Sequence, residues 1–378
     1  MKLKLKNTPE QVELIKAMGA RDPGVSREAT EAFAAFIGPV VQQVLMQAGT
    51  APLIYTDNQY DEDDSPSYPL DLYYNEGIDH INVWSQNVAG GLPTSHVEGL
   101  SEMKIATYRL DSAVSMLKRY ARRARLDVVS KSIERMAQEI LVKQERNAWA
   151  VILKALAEAS TDGNNHVVSS VNAGRFIPHD LNLLMTRIKR INVSFAGGTP
   201  SNWDSRGLTD LFVSPEIMKD VRGFAYNPVS NISAGSSSAL PSLPDGTREN
   251  IWNAAGMTEI YGVVLHELIE LGVDKKYNVL FDNFAGSGIL KGGQAGEAEG
   301  SGSSSTAFTS ANSEIAVGLD LSRDAFIRPV ARQADSNGTF TALPDDQFVS
   351  RAERLGFYGF LEEGRVCLDS RAIVGIGV

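Results

Sequence analysis

The sequence predicts an α+β fold, and three observations carry that reading. Residues 126–158 hold one long run of helical periodicity. Beyond about residue 179, short apolar β-branched runs alternate with short amphipathic segments. Between them in character, and before them in the chain, residues 51–103 contain ten acidic side chains and neither lysine nor arginine. Such a stretch, scattered with Gly, Pro, Ser and Asn, is a poor source of core and reads as an excursion from the folded body.

Composition sets the outer bounds. The chain has 378 residues, 43% hydrophobic and 22% charged, enough apolar material for one large domain or two ordinary ones. A net charge of −10 argues against a protein whose main work is gripping nucleic acid. It suits a surface that lies beside packed nucleic acid without adhering. A single cysteine, Cys367, excludes an internal disulfide and a Cys-based zinc site. Lys2, Lys4, Lys6, Glu10, Glu13 and Lys16 interrupt the first twenty residues, so no secretory signal is read there. No run of some 18 apolar residues offers a membrane span.

Taken in order, residues 8–18 read as a short helix, with Thr8 as N-cap, Pro9 at the first helical position and Gln11 at the third. Residues 26–47 read as a second. Its apolar positions are Ala29, Phe33, Phe36, Ile37, Val40, Val41, Val44 and Leu45, and Pro39 should bend or split it. Strand-like pieces flank the acidic gap at His80–Trp84 and Ile105–Arg109, suggesting a long two-stranded excursion. The run 126–158 places Val129, Ile133, Met136, Ile140, Ala148, Ile152 and Leu156 on one stripe of a helix roughly 48 Å long. A further helix is expected at 179–191. Leu211-Phe212-Val213 reads as a buried strand, followed by a helix opened by Ser214 as cap, Pro215, and Glu216 facing the dipole. Further strands are expected at Glu259–Leu265, Asn278–Phe281, Glu314–Leu319, Ala325–Ala331, Gly356–Leu361 and Arg365–Leu368. Two flexible loops are read at 231–246 and 286–306; the second has linker composition and is expected to be mobile or to order only against a neighbour or an accessory protein.

The chemistry-bearing motifs are thin. His266-Glu267-Leu268-Ile269-Glu270 resembles half of a zinc-protease helix, but Glu270 stands where the second histidine belongs, and the run sits among strands. Gly286, Gly288 and Gly292 lack the spacing and the following helix of a nucleotide loop. His80, His96, His166, His179 and His266 show no ligand spacing, and Cys367 in an apolar strand reads as an inert thiol. No catalytic, cofactor or metal residue is assigned. The basic run Lys118-Arg119-Tyr120-Ala121-Arg122-Arg123-Ala124-Arg125 admits a nucleic-acid patch, but the preceding acidic stretch offers it a protein counter-charge.

The order of these elements resembles the Hong Kong 97-type fold of tailed-phage major capsid proteins. The resemblance covers nearly the whole chain. It rests on Leu211–Glu216 as a strand-to-helix step, and on the endings Arg354–Gly359 and Glu363–Val374. It implies an N-terminal arm at 1–50, an extended loop at 51–107, a peripheral domain with spine helix at 108–178 continued by 321–370, and an axial domain at 179–320. It further implies a non-enzymatic shell subunit, assembled in the host cytoplasm into the virion capsid. Pentamers and hexamers would close into an icosahedral shell around double-stranded DNA, bound without sequence specificity. Scaffolding, portal and decoration or cement proteins are the implied partners; no membrane or cofactor is. Encapsulin nanocompartments share the fold and form the nearest alternative function; a soluble α/β enzyme is the alternative from another class.

Charge then suggests how copies meet. Residues 52–103 carry −10, while residues 104–125 carry seven basic side chains against Asp111. Arg119, Arg122, Arg123 and Arg125 are expected to hold acids of a neighbouring subunit, with Asp61, Glu62, Asp63 and Asp64 the leading candidates. With no lysine in the excursion, a covalent lysine–asparagine link between loops is not expected.

Overall fold

The structure, a computed structural model, describes residues 8–47, 49–61, 64–69, 102–123, 125–159, 166–170, 172, 174–191, 207–224, 257–286, 289–291, 305–332, 340–345 and 353–378. It is a mixed α+β chain whose contacts gather into two units. The first comprises residues 1–68, 103–148 and 327–366; the second comprises residues 69–102, 149–326 and 367–378.

In the first unit, α1 (Pro9–Met18) begins after Thr8, whose side chain makes no cap bond. Helix α2 (Pro23–Gln47) runs through Pro39 unbroken. Pro39 and Ala35 lie on its exposed side, so the carbonyl that loses its partner faces water. The buried stripe of α2 is Ala29, Phe33, Ile37 and Val41 at four-residue steps, and Phe36, expected within it, is 49% exposed. A short helix α3 (Ala51–Ile54) leads into β1 (Thr56–Asp61), which pairs in parallel with β12 (Phe326–Arg332). Residues 51–61, expected to open the excursion, are therefore part of the body. Next come β2 (Ser67–Pro69) and β3 (Glu102–Lys104), which pair with each other. His80–Trp84 lies outside the described residues.

Strand β4 (Tyr108–Leu117) pairs antiparallel with β14 (Arg354–Glu363) along its full length, and β13 (Thr341–Asp345) lies on the other side of β14. A short helix α4 (Lys118–Arg122) connects β4 to α5 (Leu126–Ala159), the long helix read from the sequence. Val129, Ile133, Met136 and Ile140 of α5 meet Ile15, Met18, Phe33 and Ile37 of α1 and α2, and Met116, Leu355, Phe357 and Leu361 of the sheet. The Phe33 and Phe357 rings sit 5.4 Å apart in this core.

In the second unit an eight-stranded sheet has the order β10-β9-β5-β16-β11-β6-β8-β7. Its strands are β5 (Val167–Ser169), β6 (Asp210–Val213), β7 (Met257–Ile260), β8 (Val263–Glu267), β9 (Leu290–Lys291), β10 (Ser305–Thr306), β11 (Ile315–Leu319) and β16 (Ile373–Gly377). One core gathers α6 (Pro178–Ile191) and α7 (Pro215–Gly223) against Leu211, Val213, Leu265, Val374 and Ile376. Ser214 caps α7 as the sequence predicts, its Oγ accepting from Ile217 N at 3.1 Å. Trp149 of α5 packs edge-on to Phe212 at 5.0 Å and stacks on Tyr277 at 5.7 Å.

Asn278–Phe281, read as a strand, lies instead in helix α8 (Lys276–Phe284). Tyr277, Asn278 and Phe281 face inward at helical spacing, and the Asn278 amide serves neighbouring backbone. It donates to Ser310 O at 3.1 Å and Ser313 O at 2.7 Å, and accepts from Ile315 N at 3.2 Å. The expected strand at Glu259–Leu265 is two strands, β7 and β8, folded about Tyr261 and Gly262, both at positive φ. Of the loop 286–306, the flanks pair as β9 and β10, and residues 292–304 lie outside the described residues, as does 231–246.

Gly19 ends α1 where a Cβ would stand 2.6 Å from the backbone N of Arg122 and 2.8 Å from its Cγ. Gly19→Ala is therefore expected to push α1 off α4 and cost about 1–3 kcal/mol, read as a lowered denaturation midpoint with an unchanged m-value.

Candidate assembly surfaces

Two adjacent glutamates at the end of β14 organise the acidic region. Glu362 accepts from Tyr60 OH at 3.1 Å and from Thr107 Oγ1 at 2.8 Å, so it binds the chain on both sides of the excursion. Glu363 is fully buried. It accepts from Arg328 Nε at 2.7 Å, Tyr108 OH at 2.9 Å, Gln144 Nε2 at 3.2 Å and Arg365 Nη2 at 3.4 Å. Arg328 also reaches Asp57 of β1 at 3.2 Å, and the Arg365 guanidinium lies 4.9 Å from the centre of the Tyr55 ring. Burial, and after it the charge of Glu363, pushes the Tyr108 phenol up to about 12, so it stays a proton donor at any physiological pH.

The sequence-expected residues are placed as follows. Asp61 ends β1, exposed, and its carbonyl accepts from Asp64 N at 2.9 Å. Asp64, also exposed, accepts from Ser65 N at 2.8 Å. Glu62 and Asp63 lie outside the described residues. Arg119 is exposed, 5.1 Å from the centre of the Tyr120 ring, and Arg123 and Arg125 are exposed as well. Arg122 is tied within its own unit: Nε donates to Gly19 O at 2.8 Å, and Nη1 lies 3.9 Å from Glu353. Lys118 of the same run is buried. No ion pair among the described residues joins Asp61 or Asp64 to these arginines. The glutamate node was invisible in the sequence, because Tyr60 and Glu362 are 302 residues apart; only the charges of Arg328 and Glu363 inside apolar strand segments hinted at it.

The remaining motifs are spent locally. His266 Nε2 meets Asp210 Oδ1 at 2.7 Å, and its ring stacks on Phe212 at 4.9 Å. Burial, then the Asp369 charge, pushes the Cys367 thiol up to about 12, far from a reactive thiolate at neutral pH. Among the described residues no group of three or more His, Cys, Asp or Glu is placed to hold a metal, and no helix is long and apolar enough to cross a membrane.

No family model matches the chain, and no curated protein does. Among solved structures the chain is similar to the capsid of cyanophage P-SCSP1u at 10% identity, covering 85% of this chain and 86% of that one, with a TM-score of 0.47. It is similar to the capsid of an empty gene-transfer-agent (GTA) particle at 13% identity, covering 87% and 90%, with a TM-score of 0.47. A Microbacterium phage, Oxtober96, gives 10% identity, 87% and 91% coverage, and a TM-score of 0.48.

Glu363→Gln removes the carboxylate shared by two buried guanidinium groups, leaving Arg328 with Asp57 alone. It is expected to cost about 3–5 kcal/mol, measured by chemical denaturation, whereas Glu31→Gln on the exposed Arg27–Glu31 pair should cost no more than about 1 kcal/mol.

Proposed function

We propose that the chain is the structural shell subunit of a tailed-phage capsid, assembling as pentamers and hexamers around double-stranded DNA. The single observation that supports this best is the anchoring of residues 62–101. An acidic stretch without lysine or arginine is flanked by Tyr60 and Thr107, both held by part-buried hydrogen bonds to Glu362, on a body that leaves Arg119, Arg123 and Arg125 exposed. That division of charge suits docking between identical copies: acid from one, arginine from the next. The element order fits a structural role. Scaffolding, portal and decoration proteins, and assembly in the host cytoplasm, belong to the same reading.

Electron microscopy of the purified chain tests it. Large shells of genome-enclosing size are expected; small cargo-sized shells would instead favour a nanocompartment, and the absence of shells would overturn the reading. Because Arg122 also serves Gly19, the docking test uses Arg119→Ala, Arg123→Ala and Arg125→Ala together. The triple variant should keep the circular dichroism of the parent and assemble poorly, and parent assembly should weaken as salt is raised. Unchanged assembly would remove these arginines from the contact. Denaturing gels of the shell should show a single band without covalent ladders.

A further inference from the structure

Strand β4 is bordered unusually. It pairs with β14 in unbroken register, from Tyr108 opposite Glu363 to Leu117 opposite Arg354, and on its other edge pairs with no strand among the described residues. In an antiparallel ladder alternate residues turn their N–H and C=O groups away from the partner, so a ten-residue edge offers a row of free donors and acceptors. Folded proteins usually guard such an edge with lysine, proline, a bulge or a covering element. Here the strand contains no lysine, proline or glycine. Its two charges, Arg109 and Asp111, neutralise each other at 2.7 Å and share Tyr358 OH. That leaves Ser112-Ala113-Val114-Ser115-Met116-Leu117 as six uncharged residues along an edge that no described strand pairs. Leu110, Ser112 and Val114 on the inward side are only half-buried. By contrast, β13 is five residues long and carries Pro344 and Asp345.

We propose that this edge pairs with β4 of a second copy of the chain, antiparallel about a two-fold axis. A partner strand must match a long, uncharged row of small and medium side chains, and β4 meets that requirement itself. The antiparallel two-fold sends the Arg109–Asp111 ends to opposite ends of the joint, so like charges stay apart. With the axis at Val114 or Ser115, Asp111 of each copy comes to the end where Arg119 of the other stands exposed, acid beside base. The arrangement uses both free edges at once, so the contact closes instead of propagating. It goes beyond the shell reading and rests only on the β4 edge.

A symmetric antiparallel pair has one residue that faces itself, and this gives the test. Single cysteines are placed in turn at positions 111–117 of the full chain in a Cys367→Ser background, oxidised mildly, and run on non-reducing gels. A dimer yield that peaks at one position and falls on both sides is expected; no dimer, or equal yield at all positions, overturns the proposal. Ala113→Lys, at an exposed position that should not disturb folding, combined with the best cysteine should cut the dimer yield at least tenfold, and an unchanged yield overturns it too. Electron microscopy of the same samples keeps the readings apart: cross-links without shells count against the capsid function alone, and shells without cross-links count against the β4 joint alone.

Discussion

The structure of the first unit depends on one buried carboxylate. Glu363 sits without solvent between Arg328 and Arg365, with Tyr108 and Gln144 completing its shell. Removing three charges from water is expensive, and the cost is offset by the hydrogen bonds that converge on Glu363, although Arg365 Nε and Nη1 are buried without a hydrogen-bond partner among the described residues. The partners of Glu363 come from β4, α5, β12 and the chain just after β14, so the node demands that all four segments be in register together. Asp57 then draws β1 to Arg328, and the neighbouring Glu362 takes Tyr60 and Thr107. The four contacts all converge on Glu363, so each segment is placed relative to the same side chain.

That specificity matters because of what lies between the anchored ends. The stretch joining β2 to β3 carries Asp71, Glu76, Asp79 and Glu98 and neither lysine nor arginine, and the described contacts lie at its base. Tyr60 and Thr107 converge on the same Glu362 oxygen. The short β2–β3 ladder and the bond from Ile105 N to Pro66 O at 3.0 Å add a backbone constraint a few residues further on. A root already ordered by these contacts does not have to lose that entropy again when a partner docks.

How much of this was legible follows from where each signal resides. Helix α5 was visible because one face of it is buried, so Val129, Ile133, Met136 and Ile140 recur at helical steps. Ser214-Pro215-Glu216 was visible because capping chemistry is local. Asn278–Phe281 misled because Val279, Leu280 and Phe281 look like a strand, and nothing nearby in sequence shows that the Asn278 amide is committed to the 310–315 loop. Strand β16 was missed because Ile373-Val374-Gly375-Ile376-Gly377 has glycines that weaken a strand pattern. The structure gives the reason for one of them, since a Cβ on Gly375 would lie 2.8 Å from Leu156. The arginines split in a way sequence alone does not reveal: of the run 118–125, Lys118 is buried and Arg122 holds Gly19, while Arg119, Arg123 and Arg125 remain exposed.

The contacts left to the surface fall into two physical kinds, and they suit different tasks. Exposed arginine–carboxylate pairs are weak, worth about 0–1 kcal/mol each, screened by salt, and quick to break. Repeated between many identical copies, they favour one docking geometry yet allow a misplaced copy to leave. A backbone ladder along β4 is directional, indifferent to salt, and specific in register through the alternation of its faces. A shell built on the first kind alone would be sensitive to ionic conditions throughout its life; one built on the second alone would trap early errors. The chain places the ionic groups on α4 and the turn beyond β1, and the open ladder on the strand that leads directly into α4. Because β4 runs directly into α4, the strand's register fixes where Arg119 stands, so under the two proposals above a copy docked on one would be held in place for the other.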